Sequence, residues 1–337
     1  MVPSPQRRGT RHAVFATSAR PFRVGTFLFT QHCFVWLHSL MNSLEFPFPV
    51  SDKTGEWLAG HGFEQLERCE VLGSGHHECY LLANSQDRKI VAKVCRDNSG
   101  EALKAEASGL ELLANTGTLR IPEVLYISKQ CLLIEHIAET AQCSDYWQKL
   151  AGQLADLHRF STASASNLTT PYGLGEDNYC GAQRQKNGWF EDGHDFFSQQ
   201  RLMHQTRLAF DNGYLQTPWV ISIESICERL AELVPWQPAS LLHGDLWPGN
   251  ILIGEQGQPA LIDPAIYYGW RETDIAMSLL FGGLPHDFYL SYDEHWPMEA
   301  GWRSRMSLYN LYHLLNHLNI FGESYLDQVH QTIAKYA

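Results

Sequence analysis

The chain has 337 residues, with 25 Lys and Arg against 37 Asp and Glu and a formal net charge of −12. That length suggests two domains or lobes with room for a sizeable core. The acidic balance argues against nucleic acid or an anionic membrane as partner. Eight cysteines are scattered with no C-x-x-C pair, and the histidine spacing matches no zinc motif, so the expected state is reduced thiols in a cytoplasmic protein.

The first 44 residues hold five arginines (Arg7, Arg8, Arg11, Arg20, Arg23) and no acidic residue. This composition is like that of a transit peptide. Val24–Leu40 is apolar, but Gln31, His32 and His38 interrupt it, and it is short for a membrane span. The expectation is a disordered or spurious extension over residues 1–40, with the globular protein starting near Met41.

From Met41 to His136 strand and helix signals mix. VLGSGHHECYLLA reads as strand, tight glycine turn, strand, and KIVAKV (89–94) as an alternating strand. Ser99–Asn115 reads as a helix capped by Ser99, with Leu103, Glu106, Leu110 and Leu113 at helical spacing. Pro122 opens an extended stretch, and CLLIEHI is a short buried strand. Beyond Asp145 the chain reads as mainly helical. Helices are predicted over Trp147–Phe160, Phe196–Phe210, Ile223–Leu233, Tyr309–Phe321 and Tyr325–Tyr336. ILIGEQGQPALID interrupts them as a hairpin.

The chemistry concentrates in LLHGDLWPGNILI. Asp245 and Asn250 are five residues apart, and Pro248 and Gly249 between them prevent a helix. Such a loop can aim two polar side chains at one point. In protein kinases an Asp and an Asn at this separation accept the substrate hydroxyl proton and coordinate Mg²⁺. Asp263 closes the hairpin eighteen residues after Asp245, and the strand–turn–strand path would return it beside Asn250. Asn250 and Asp263 would then give a hard cation two oxygen ligands. Lys93, inside an apolar strand, has to snorkel or pair, and Glu106 on the next helix is its expected partner. Together they would hold ATP phosphates. Gly73 and Gly75 flank a turn whose backbone N–H groups could approach those phosphates, followed by His76 and His77. The run Glu135, His136, Ile137, Ala138 sits where a hinge would bind adenine through main-chain groups.

These residues carry a resemblance to the fructosamine kinase (ketosamine-3-kinase) family, a branch of the kinase-like superfamily that includes aminoglycoside and choline kinases. Three blocks carry it: HGDLWPGN, DPAIYYGWRETDIAM at Asp263–Met277, and YGLGEDN…QKNGW…FF…RL from Tyr172 to Leu202. The resemblance implies an α+β, protein-kinase-like fold of two lobes. A small mixed β-sheet N-lobe over 41–136 would bind ATP phosphates. A mainly helical C-lobe over 137–337 would carry catalysis and substrate binding. It also implies an ATP- and Mg²⁺-dependent kinase for the 3-hydroxyl of ketosamines, free or protein-bound, acting as monomer or homodimer. Another alcohol kinase of the aminoglycoside or choline type is the alternative. By the resemblance Asp245 is the proton acceptor, and Asn178, Gln185, Asn187, Trp189, Trp247 and Arg271 are candidates for the substrate side. Three departures stand out. Trp270 replaces the usual Asp before Arg-Glu, and Lys186 the usual Pro of Q-P-N. Cys79 is displaced from the glycine-turn cysteine through which some members are redox-controlled, so that control is not expected here.

Overall fold

The computed structural model describes Phe46, Phe48 and residues 50–74, 77–95, 100–164 and 171–337. The expected extension over 1–40 lies outside them, as do Gly75, His76 and Ser99. The described chain begins with α1 (Asp52–Gly60), whose first turn is closed by the Thr54 N–H donating to Ser51 Oγ. Five strands follow: β1 (Leu66–Ser74), β2 (Glu78–Asn84), β3 (Lys89–Val94), β4 (Val124–Ile127) and β5 (Cys131–Glu135). They form one sheet in the order β1-β2-β3-β5-β4, antiparallel at every pairing. Helix α2 (Glu101–Asn115) crosses between β3 and β4.

Period-two alternation decides which way β3 points its residues. Ile90, Ala92 and Val94 join Phe48, Leu58, Phe63 and Leu82 in a small core on one side. Val91 and Lys93 therefore point to the other side, where α2 lies. Helix α2 returns Leu103, Glu106, Ala107, Leu110 and Leu113 to that side at helical spacing, so Lys93 and Glu106 meet.

The larger core lies mainly in the C-terminal part and takes in Leu103, Leu110 and Leu113 of α2 and Leu132 and Ile134 of β5. It is built by α3 (Tyr146–Ser164), α4 (Gly193–Phe196), a π-helical turn over Phe197–Met203, α5 (His204–Asp211), α6 (Thr217–Glu228), α7 (Leu230–Leu233), α8 (Glu272–Leu280), α9 (His286–His295), α10 (Trp302–Phe321) and α11 (Leu326–Tyr336). Short strands thread among them: β6 (Tyr172–Leu174), β7 (Asn178–Cys180), β8 (Gln183–Gln185), β9 (Gly188–Phe190), β10 (Ser240–Leu242), β11 (Ile251–Ile253), β12 (Pro259–Leu261) and β13 (Tyr267–Gly269). They make a four-stranded sheet, β10-β13-β6-β9, and the hairpins β11-β12 and β7-β8.

Most expected elements are present. The segment read as one helix over Phe196–Phe210 is interrupted by the π-helical turn, Ile223–Leu233 is two helices, and α10 starts seven residues before Tyr309. The cap expected at Ser99 falls outside the described residues; Gly100, at φ +64°, directly precedes α2.

Candidate active site

Strand β10 delivers the chain into the catalytic loop, and its antiparallel partner β13 takes it away. Leu242 lies opposite Tyr267, and the Ala265 N–H donates to the His243 carbonyl at 2.9 Å. This pairing lays His243–Asp245 alongside Asp263–Ala265. Asp274, near the start of α8, fixes the entry. Its Oδ2 accepts the His243 N–H at 2.8 Å and its Oδ1 the Gly244 N–H at 2.9 Å. Gly244 has φ +81°, and a Cβ there would run into the Ala265 carbonyl, so no other residue fits. His243 is locked from both ring atoms. Nδ1 accepts the Asp245 N–H at 3.3 Å, which leaves Nε2–H to donate to the Ile262 carbonyl at 3.0 Å. Burial keeps the imidazole pKa low, so it stays neutral.

Beyond Asp245 the chain turns through Pro248–Asn250. Asn250 Nδ2 donates to the Asp245 carbonyl at 2.9 Å and to Asp245 Oδ2 at 3.2 Å, and reaches the Asp263 carbonyl at 3.5 Å. With Nδ2 spent on these acceptors, Asn250 Oδ1 is the atom that could ligate a cation. Asp263 sits at φ +56°, in the left-handed region unusual for a residue with a side chain. Its carboxylate is bonded to Lys93 Nζ, which also bonds Glu106. Burial works against the Lys93 charge, but Glu106 and Asp263 outweigh it and raise its pKa. Burial raises the Glu106 carboxyl, against the pull of Lys93. Burial and the neighbouring Asp263 charge push Asp245 up to about 7, with the Asn250 hydrogen bond opposing them. A carboxylate near 7 is well matched to take a hydroxyl proton. The oxygen pair Asn250 and Asp263 fits a hard divalent cation.

The expected substrate-side residues divide into two groups. Asn178, Gln185 and Asn187 are buried, and their amides are spent internally. Asn178 Nδ2 donates to the Ile266 carbonyl at 2.7 Å, and Gln185 Nε2 to the Ala265 carbonyl at 3.0 Å. Gln185 Oε1 accepts from Tyr312 Oη at 2.7 Å, and Asn187 Oδ1 from Arg201 Nη2 at 2.9 Å. Asn178 and Gln185 tie the β7-β8 hairpin to the backbone just past Asp263, and Asn187 Nδ2 braces Asn178 Oδ1 at 2.9 Å. Arg201 lies between the rings of Tyr267 and Phe196. Arg271 is likewise buried, bonded to the carbonyls of Trp296 and Pro297 and to Tyr292. Its neighbour Glu272 pairs with Arg305 at 2.7 Å instead. Only the two tryptophans offer surface: Trp189 is 52% and Trp247 37% exposed. Trp247 folds its indole over Gly249, where a Cβ would overlap the ring, and meets Phe281 edge-on at 5.9 Å.

Known proteins place this arrangement. A family model described as fructosamine kinase matches residues 51–337. The chain belongs to the fructosamine kinase family. A probable ketoamine kinase of Synechocystis sp. is 36% identical over 279 residues, 81% of this chain and 91% of the relative. The chloroplastic protein-ribulosamine 3-kinase of Arabidopsis thaliana is 31% identical over 85% of this chain and 87% of its own. The crystal structure of a candidate fructosamine-3-kinase from Haemophilus somnus superposes with a TM-score of 0.73 at 28% identity, covering 84% of this chain and 96% of that one. A gentamicin-bound aminoglycoside phosphotransferase, at TM-score 0.55 and 15% identity, shares the fold. The kinase-like two-lobed fold expected from the sequence is thus the fold observed.

In this fructosamine kinase family member the segment expected as a hinge, Glu135–Ala138, starts at the last residue of β5. The Glu135 side chain turns away to a bidentate pair with Arg120 at 2.5 and 2.9 Å. Ile137 is buried near Gly254, and burial lowers the His136 pKa. Gly73 is paired with Cys79, with open space where a Cβ would stand. Asp274 and Arg201 lie within the motif blocks of the sequence, but nothing in their spacing assigns them a role, and His158 and His313 lie outside any motif. Asp274 carries one signal, an acid that directly precedes the apolar run Ile275–Met277.

Proposed function

We propose that this family member transfers the γ-phosphoryl group of Mg·ATP to the 3-hydroxyl of ketosamines, adducts of sugars with free or protein-borne amines. Family membership across residues 51–337, with the set Lys93, Glu106, Asp245, Asn250 and Asp263 complete, carries this reading. Asp245 accepts the hydroxyl proton as the oxygen attacks. Lys93, oriented by Glu106, holds the phosphates, and the backbone N–H groups around Gly73 and Gly75 are assigned to the same task. Asn250 and Asp263 would hold Mg²⁺, which when bound offsets phosphate charge. Glu135–Ala138 receives the adenine through its backbone. Residues 41–136 serve ATP binding and 137–337 catalysis and substrate. On the substrate side, Trp189 and Trp247 supply apolar faces suited to a sugar. Asn178, Gln185, Asn187 and Arg271 act from behind, by positioning. No helix among the described residues is long and apolar enough to cross a membrane, and we assign the activity to the cytoplasm.

The test is phosphate transfer from Mg·ATP to fructoselysine, ribuloselysine, kanamycin and choline. Ketosamine phosphorylation, reduced about 10²–10⁴-fold in Asp245→Asn, is expected. Transfer to kanamycin alone, or full activity in Asp245→Asn, refutes the reading.

A further inference from the structure

Two residues behind the catalytic loop have no part in that mechanism. Cys180 ends β7 and His313 lies within α10, and each is 2% exposed. The Cys180 Sγ, an Asp245 carboxylate oxygen and a His313 ring nitrogen all lie within 4.8 Å of one another. Sequence spacing could not show this, because the three donors come from a hairpin strand, a loop and a distant helix. His313 Nδ1 is buried with no hydrogen-bond partner among the described residues. An unpaired buried polar atom has given up its water without compensation, and a bound cation would supply the missing partner.

Thiol, imidazole and carboxylate together are the donor set of a borderline-soft cation such as Zn²⁺. Mg²⁺ prefers oxygen alone. Zinc bond lengths to sulfur and nitrogen place tetrahedral ligands about 3.3–3.6 Å apart. Binding would draw the present spacing, within 4.8 Å, in to that and leave a fourth position for water.

We propose that Cys180, Asp245 and His313 form an inhibitory site for Zn²⁺ or another thiophilic divalent cation. On binding, the Cys180 thiol gives its proton to solvent and the thiolate, the neutral imidazole and the Asp245 carboxylate each donate a pair to the metal. The Asp245 pair is then no longer free for a hydroxyl proton, and phosphoryl transfer stops. The inhibitory half rests on the function proposed above, and the binding half on geometry alone.

Co²⁺ added to the full chain without nucleotide tests binding, because thiolate-bound Co²⁺ absorbs by charge transfer. The expected result is one Co²⁺ per chain, displaced by Zn²⁺. The band is lost in Cys180→Ser and in His313→Gln and kept in Cys79→Ser, with folding of each checked by circular dichroism. No band, or a band that survives Cys180→Ser, overturns the site, as does loss of the band in Cys79→Ser. Zn²⁺ titrated into the kinase assay with Mg·ATP in excess should inhibit the wild type. Cys180→Ser should keep its basal activity and need at least ~10–100-fold more Zn²⁺. A band without inhibition overturns the inhibitory role. If the proposed function itself is wrong, metal-free wild type fails to phosphorylate ketosamines while the band remains.

Discussion

Asp274 accepts the Gly244 N–H at 2.9 Å, and this contact sets where the catalytic carboxylate stands. Gly244 precedes Asp245 directly, so a shift of one moves the other. Asp274 also takes the His243 N–H and a bond from His158 Nε2 at 3.2 Å. Asp274→Asn presents an NH₂ where one of these donors points. It should cost about 3 kcal/mol of stability, as for other broken buried charge networks. A misplaced Asp245 should lower kcat about 10²-fold with little change in the KM for ATP. Chemical denaturation and steady-state kinetics on the same preparation check both.

Lys93 stands between Glu106 of α2 and Asp263 after β12 and so ties the N-terminal sheet and its helix to the loop that carries Asp263. Lys93→Met should reduce kcat/KM about 10²–10³-fold, the range seen when one preorganised electrostatic donor is removed. It also leaves Glu106 buried without its cation. Adding Glu106→Gln should recover melting temperature without recovering activity. Recovery of both would mean that the lysine has no role beyond the pair.

Stability should fall below neutral pH, and the sign follows from the buried histidines. Burial lowers the pKa of His158 and of His243 below the ordinary 6.5. Both stay neutral in the fold but gain a proton on unfolding once the pH passes below 6.5. The unfolded state then binds more protons, so stability present above pH 6.5 is lost as pH falls toward the folded-state values. Each histidine contributes a slope of about 1.4 kcal/mol per pH unit. Denaturation midpoints between pH 7 and 5 should decline, and His158→Gln should flatten the decline by about one such slope.

Trp270 fills a site among Tyr172, His194, Phe197 and Tyr309, and is buried. The acid that family members usually carry there would be unpaired in this chain. Trp270→Asp should cost about 3–5 kcal/mol, in the range for removing a large buried ring. Thermal denaturation measures it directly, and a variant as stable as wild type would show that the neighbours repack around the charge.

The site could be read from the sequence wherever its chemistry is local. Asp245 and Asn250 share a loop, Asp263 returns along one hairpin, and Lys93 stands out as a charge in an apolar strand. Fold class followed from a strand-rich half before a helical half. The strands between Tyr172 and Phe190 escaped notice because each is three residues long, too short for alternation to register. The amides of Asn178, Gln185 and Asn187 looked like sugar ligands because residue type is silent about burial. The bonds of Asn178 to the Ile266 carbonyl and of Gln185 to the Ala265 carbonyl follow from tertiary pairing alone. The same holds for Cys180 and His313, which meet Asp245 only once the helices are packed.

The indole lying over Gly249 has a consequence for how this loop can change over generations. Two positions that share one volume are not free to drift apart: while Trp247 keeps its ring over 249, a side chain there must push the indole aside. A lineage that gives up the ring first can fill the glycine without a clash, whereas the reverse order displaces the ring on the way. What reads as two independent letters of a motif is a coupled pair, and the order in which its members change matters.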